Sequence, residues 1–104
     1  MEFILIHRAR GLIPPENEKA IVELAKKLIE KPEELVPGGK VIAAYAARCK
    51  DLVVCIWDVP HAENLVPAFE QLANLGYDTE IIPAEKWSES ISKYEKTLVE
   101  ALKK

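Results

Sequence analysis

The feature that most constrains the fold is a pair of apolar runs, at residues 40–48 and 52–58, with only a few polar residues between them. Each run has the length and apolar character of a strand. Lys50 and Asp51, which lie between the runs, suit a two-residue turn, so the two strands are expected to form an antiparallel hairpin. Any fold for this chain must accommodate that hairpin near its middle.

A two-residue turn also defines the register of the hairpin. Ala44 then faces Trp57, and the small alanine side chains leave space beside the indole, either for close packing of another layer or for a ligand. In the same register Cys49 and Cys55 face different residues, which excludes a disulfide between them. Because no CxxC spacing or neighbouring pair of histidines is present, we predict free thiols rather than a zinc or redox site.

The segments on either side of the hairpin alternate between strand and helix patterns. Residues 2–9 and 77–83 predict strands, and residues 16–31, 61–75 and 84–104 carry apolar residues at helical spacing. Both faces of the first strand are apolar near its start. This strand is therefore predicted to be central and covered on both sides. Alternation places His7 on the face of Phe3 and Leu5, and Arg8 on the opposite face.

The order strand-helix-strand-strand-helix-strand predicts one α+β domain over residues 1–104, with a ferredoxin-like βαββαβ antiparallel sheet and an additional C-terminal helix. Right-handed crossovers place the first two helices on one side of the sheet. The other side is left bare although its residues are apolar, which is a liability in a monomer. We therefore expect a homodimer or higher homo-oligomer through that sheet face, with the third helix capping the sheet edge or reaching across to the partner.

Composition and motifs argue against several classes of function. The net charge is -3 and the basic residues are scattered, which disfavours nucleic acid as a partner. No apolar run is long enough to span a bilayer and the N-terminal segment lacks a signal-peptide pattern, so a cytoplasmic protein without a membrane partner is expected. Because no phosphate-binding loop, dinucleotide glycine fingerprint or metal-ligand spacing is present, neither a cofactor nor a metal is predicted.

Two short motifs carry a resemblance to a known superfamily. The third predicted strand runs into Asp58-Val59-Pro60 and a helix, and the fourth contains Asp78-Thr79-Glu80 before an apolar end at Pro83. Together with the opening MEFILIH, the length and the order of elements, these motifs resemble the dimeric α/β-barrel superfamily. Within it the chain is most similar to the muconolactone-isomerase-like proteins and some related uncharacterised ones. The resemblance implies a dimeric α/β barrel with a pocket between the sheet and its own helices.

Few polar residues are placed to face such a pocket or its rim. His7, in the middle of the first strand, is the candidate catalytic residue, because a neutral imidazole can act as general acid or base near pH 7. A histidine that is merely hydrogen-bonded within the core is the alternative. Arginines can hold an anionic group bidentately, or they can form surface ion pairs. The candidate ligand-binding residues are Arg8, Tyr45, Arg48, Trp57, His61 and Tyr77.

Asp58 and His61 allow two interpretations. Asp58 ends a strand just before Pro60, where it can accept hydrogen bonds from the first amide groups of the following helix. A catalytic dyad would require His61 to face Asp58, with a nucleophile or a substrate proton within reach. Because no serine or cysteine motif lies nearby, we interpret the pair as the entry to a helix.

Two functions remain open from the sequence. In the first, the protein is a dimeric module that binds a small organic ligand, including an anionic one, without a catalytic constellation. In the second, it is a cofactor-independent isomerase or monooxygenase-like enzyme that transfers a proton through His7. The position of His7 discriminates between them, because a His7 packed in a sheet interface with no cavity would exclude the enzyme.

Overall fold

A computed structural model describes residues 1–103 of the chain. Its strands are β1 (Glu2–Ala9), β2 (Lys40–Ala47), β3 (Leu52–Asp58) and β4 (Tyr77–Ala84). Its helices are α1 (Pro15–Glu30), the single turn α2 (Pro32–Leu35), α3 (Val66–Leu75) and α4 (Trp87–Leu102), and a 3₁₀ turn at Ala62–Leu65 precedes α3. The predicted α+β class and the order of the main elements are confirmed, while α2 is an additional helical turn that the sequence pattern did not predict.

The four strands form one open antiparallel sheet in the order β2-β3-β1-β4. This arrangement is compatible with a ferredoxin-like fold. Strand β1 lies between β3 and β4, which confirms that it is central, while within residues 1–103 helices cover only one of its two faces. The two edges of the sheet are β2 and β4.

The two faces of the sheet differ in burial. Phe3, Leu5 and His7 alternate along β1 and are each at most 2% exposed, because α1 and α3 pack over them. Ile4 and Ile6 point to the other face and are only half-buried. The core therefore lies on one side of the sheet, and no element of residues 1–103 forms a layer over the other side. The buried apolar residues of the core are Phe3, Leu5, Leu24, Leu28, Val36, Trp57, Val59, Leu65, Ala68, Phe69 and Leu72.

The predicted register of the β2–β3 hairpin is wrong by two residues. Ala44 faces Cys55, and Trp57 faces Val41 next to a bulge. The turn is longer than two residues, since Lys50 donates its backbone N–H to the carbonyl of Ala47 at 3.0 Å. Asp51 completes the turn with a φ of 48°, in the left-handed region that aspartate tolerates better than most residues. Both cysteines are free, as predicted.

Gly38 is required at the entry to β2. Its φ is 72°, and a Cβ built on it would lie 2.9 Å from the Cγ of Pro60. We expect Gly38→Ala to lower the free energy of unfolding by about 1–3 kcal/mol, from backbone strain and steric overlap together. Urea denaturation measures this loss. In a Pro60→Ala background the same substitution should cost less, and an equal cost in both backgrounds would show that the contact with Pro60 is irrelevant.

Helix α4 extends away from the rest of the chain. None of its residues is buried, and the chain has a radius of gyration of 16.9 Å and a longest dimension of 61 Å. A compact domain of this length has a radius of gyration of about 13 Å. One side of α4 is apolar and exposed, with Trp87, Ile91, Tyr94 and Leu98 at heptad-like spacing. No helix within residues 1–103 is both long and apolar enough to cross a membrane.

Candidate functional site

A cavity of about 140 Å³ lies between the buried face of the sheet and helices α1 and α3. Its walls are apolar apart from a few side-chain atoms, which is typical of sites for small organic molecules. Ala44 and Trp57 both line it, so the space expected beside the indole is present. The residues around the cavity are His7, Ile21, Ala25, Leu28, Ile29, Val41, Ala44, Val53, Cys55, Trp57, Phe69, Leu72 and Tyr77.

His7 is the best-positioned polar residue of this cavity. It is 2% exposed, and its ring stacks on Phe69 with the ring centroids 5.0 Å apart. Its Nδ1 lies 2.8 Å from the hydroxyl oxygen of Thr79, which is its direct partner across the β1–β4 ladder. The ring is thus held on two sides. The other nitrogen, Nε2, has no hydrogen-bond partner among residues 1–103 and yet is not sealed from water-sized molecules, which leaves it available to the cavity.

Burial keeps the His7 imidazole neutral. It lowers the pKa of His7 from 6.5 to about 4, because the charged ring would lose its hydration without gaining a counter-ion. At pH 7 one ring nitrogen therefore carries a proton and the other is an acceptor. Thr79 can serve either tautomer, since its hydroxyl both donates and accepts.

Trp57 and Cys55 form a second polar part of the wall. The indole N–H of Trp57 is buried and has no hydrogen-bond acceptor among the described residues, and the indole meets Phe69 edge-on at 6.0 Å between centroids. Burial raises the pKa of the Cys55 thiol, and the interaction with the Trp57 side chain opposes that rise. Cys55 is therefore a protonated, unreactive thiol at neutral pH.

Tyr77 lies at one end of the cavity, at the start of β4. Burial and the negative charges of Asp51 and Glu18 raise the pKa of its hydroxyl. The hydroxyl therefore stays protonated at neutral pH. Tyr77 thus forms part of the cavity wall and does not act as a titrating group at neutral pH.

The remaining candidate ligand-binding residues lie outside this cavity. Arg8 is on the open face of the sheet, where its guanidinium binds Glu80 at 2.7 Å between Nη1 and Oε1. Tyr45 is 76% exposed, and its partner Val54 places it on the same open face. Arg48 lies in the exposed hairpin turn, and His61 is exposed before the 3₁₀ turn. The cavity therefore brings together His7, Trp57 and Tyr77, and not these four.

Asp58 is engaged elsewhere than with His61. Its carboxylate accepts a hydrogen bond from the amino group of Met1 at 3.0 Å, and the backbone N–H of Val59 donates to the Met1 carbonyl at 2.8 Å. No side chain caps the 3₁₀ turn that follows. The pair thus marks the end of a strand and the start of a turn, although the capping contact expected for Asp58 is absent.

Sequence reasoning missed Thr79, Phe69 and Cys55 as members of the site. Thr79 is 72 residues from His7 along the chain, and only the β1–β4 register brings the two together. Phe69 lies in the segment 61–75 that was predicted as a helix from its apolar spacing, but its stacking on an imidazole has no local signal. Parity along β3 does place Cys55 on the same face as Trp57, and that signal was available.

Comparison with known proteins gives no assignment. No protein-family model matches the chain. No curated protein matches it in sequence either. Within residues 1–103, no cluster of three or more histidine, cysteine or acidic side chains is arranged to hold a metal ion.

Proposed function

We propose that the chain is a homodimeric domain of the dimeric α/β-barrel type that binds a small organic molecule in the cavity beside His7. The observation that carries this proposal is an apolar cavity of about 140 Å³ with one accessible ring nitrogen in its wall. Ala44 and Ile29 in its wall are exposed, so the cavity opens to solvent and a small molecule can enter it. The arginines predicted to orient an anion, Arg8 and Arg48, lie elsewhere, which favours an uncharged ligand.

A substitution that fills the cavity tests this proposal. We expect Ala44→Leu to weaken the binding of benzene, used as a minimal probe, by at least about tenfold, because the added side chain occupies the ligand's space. Titration of ¹⁵N-labelled protein, followed through the backbone amide shifts of Val53 and Cys55, measures the affinity. Ala47→Leu is the matched control, since Ala47 is an alanine of the same strand on the opposite face. If a benzene-saturated solution leaves the amide shifts of the wild-type protein unchanged, the proposal is contradicted.

The homodimer is supported by the bare sheet face. Cross-strand pairing places Ile4 between Ile56 and Ile82, so the part of this face around Ile4 is apolar. Ile6 lies between Val54 and Glu80, where the charged part of the face begins. Four strands of this length present roughly 26 by 19 Å, or roughly 500 Å². A stable interface buries about 800 Å² per partner. A helix the length of α4, about 24 Å long, can supply most of the difference if its exposed apolar side packs on the second copy.

The oligomeric state is tested with a charge on that face. We expect the wild-type chain to elute with twice the 11.7 kDa mass of one copy, and Ile56→Asp to elute as a monomer because a desolvated carboxylate at the interface has no partner. Size-exclusion chromatography with light scattering distinguishes the two. Val22→Asp, which places the same charge on the exposed side of α1, should remain dimeric. A monomeric wild type would refute the homodimer.

A second candidate is an isomerase or monooxygenase-like enzyme that transfers a proton through His7, in keeping with the resemblance to muconolactone-isomerase-like proteins. The observation that favours it is the Thr79 contact, which orients the imidazole as a partner orients a catalytic histidine. Against it stands the basicity of His7, since a pKa of about 4 makes the ring a weak base at pH 7. The other titratable side chains in the described wall are Cys55 and Tyr77, and the pKa of each is raised, so neither supplies a base at pH 7. Binding is therefore the better-supported function.

A further inference from the structure

The size of the cavity suits an occupant of about one six-membered ring. A cavity of about 150 Å³ lined by apolar side chains is sufficient for benzene, and the one beside His7 measures about 140 Å³. Phe69 and Trp57 contribute aromatic walls, which pack well against the face or edge of another ring. A flat monocyclic molecule therefore fits within it.

The polar atoms in the wall limit the chemistry of the occupant. Among the described residues the Nε2 of His7 has no hydrogen-bond partner, whereas its Nδ1 is occupied by Thr79. The Trp57 indole N–H is sealed within the protein, so it does not compete for the ligand. None of the residues that line the cavity carries a charge at neutral pH. An ionised ligand would thus lose its hydration without gaining a counter-charge.

We infer that the cavity selects a neutral monocyclic molecule bearing one hydroxyl-type hydrogen-bonding group, which His7 Nε2 binds while the ring lies among the apolar walls. This inference rests on the proposed function and adds the ligand class and the residue that determines specificity. A hydroxyl group suits the site with either tautomer of His7, because it can both donate and accept a hydrogen bond.

Three monocyclic probes test the inference, namely benzene, phenol and benzoate. We expect phenol to bind about threefold to tenfold more tightly than benzene, the gain of one net hydrogen bond, and benzoate to show no saturable binding. Phenol, but not benzene, should shift the ¹⁵N resonance of His7 Nε2 in the wild-type protein. The amide titration used for benzene supplies the affinities.

His7→Phe is the diagnostic variant. It retains a ring that can stack on Phe69 and removes both nitrogens, so we expect phenol and benzene to bind it equally well. The imidazole shift in the wild-type protein gives the same information if this variant does not fold. If the wild-type protein binds phenol and benzene equally well, or binds benzoate more tightly than phenol, the proposed ligand class is wrong. The cavity proposal would still hold in that case. If neither benzene nor phenol binds, both the ligand class and the cavity proposal are wrong.

Discussion

Lowering the pH from 7 to 4 is expected to reduce the free energy of unfolding of the wild-type protein by about 3 kcal/mol more than that of a His7→Asn variant. Burial lowers the pKa of His7 from 6.5 in the unfolded chain to about 4 in the folded one. Above pH 6.5 the imidazole is neutral in both states and the stability is complete. Between pH 6.5 and 4 only the unfolded state binds the proton, so stability is lost as the pH falls. Below pH 4 both states are protonated and His7 adds no further loss.

Urea denaturation at a series of pH values measures this difference. Asparagine can keep a polar contact with Thr79 but does not titrate, so it removes the pH dependence that belongs to His7. The matched control is His61→Asn, because His61 is exposed and its removal should leave the full acid-induced loss. Identical pH profiles for the wild type and His7→Asn would show that His7 is not held in its neutral form by the fold.

Trp57→Ala is expected to lower the free energy of unfolding by about 3–5 kcal/mol, because it removes the largest of the fully buried side chains and enlarges the cavity. Trp57→Phe should change it by less than about 1 kcal/mol. Phenylalanine loses part of the apolar contact, but it also removes a buried N–H without an acceptor, which costs about 1–3 kcal/mol in the wild type.

The comparison of these two variants isolates the unpartnered indole N–H from the packing of the ring. Thermal and urea unfolding measured in parallel give both changes. If Trp57→Phe is as destabilised as Trp57→Ala, the buried N–H does not lower the stability of the folded protein. That result would also indicate that the Cys55 thiol, the neighbour whose pKa the indole affects, accepts the hydrogen bond fully.

The elements of the fold could be predicted because they depend on residues that are close in sequence. The bounds of β1 and β3 agree with the strand patterns at residues 2–9 and 52–58. Alternation along β1 also predicted that His7 shares a face with Phe3 and Leu5. The hairpin turn is the local exception, since the left-handed Asp51 lengthens it and moves Ala44 from Trp57 to Cys55.

The site was predicted in part, because its members come from distant segments. His7, Trp57 and Tyr77 were candidates and line the cavity, whereas Arg8 and Tyr45 face away from it. The alternation of the strand predicted that Arg8 and His7 lie on opposite faces. It did not predict which face of the sheet carries the cavity, because both faces of β1 begin with apolar residues. The burial of Phe3, Leu5 and His7 under α1 and α3 is a tertiary outcome.

By itself the sequence determined the type and order of the elements, because hydrophobic periodicity, prolines and glycines act within a few residues. It also predicted that the second face of the sheet is apolar and that one side of the C-terminal helix carries apolar residues at helical spacing. The tertiary structure alone decided that Thr79 holds His7, that Trp57 lacks an acceptor, and that a cavity separates the sheet from its helices. These features depend on how strands and helices distant in sequence approach one another. Contacts of that kind produce no recognisable pattern in the local sequence.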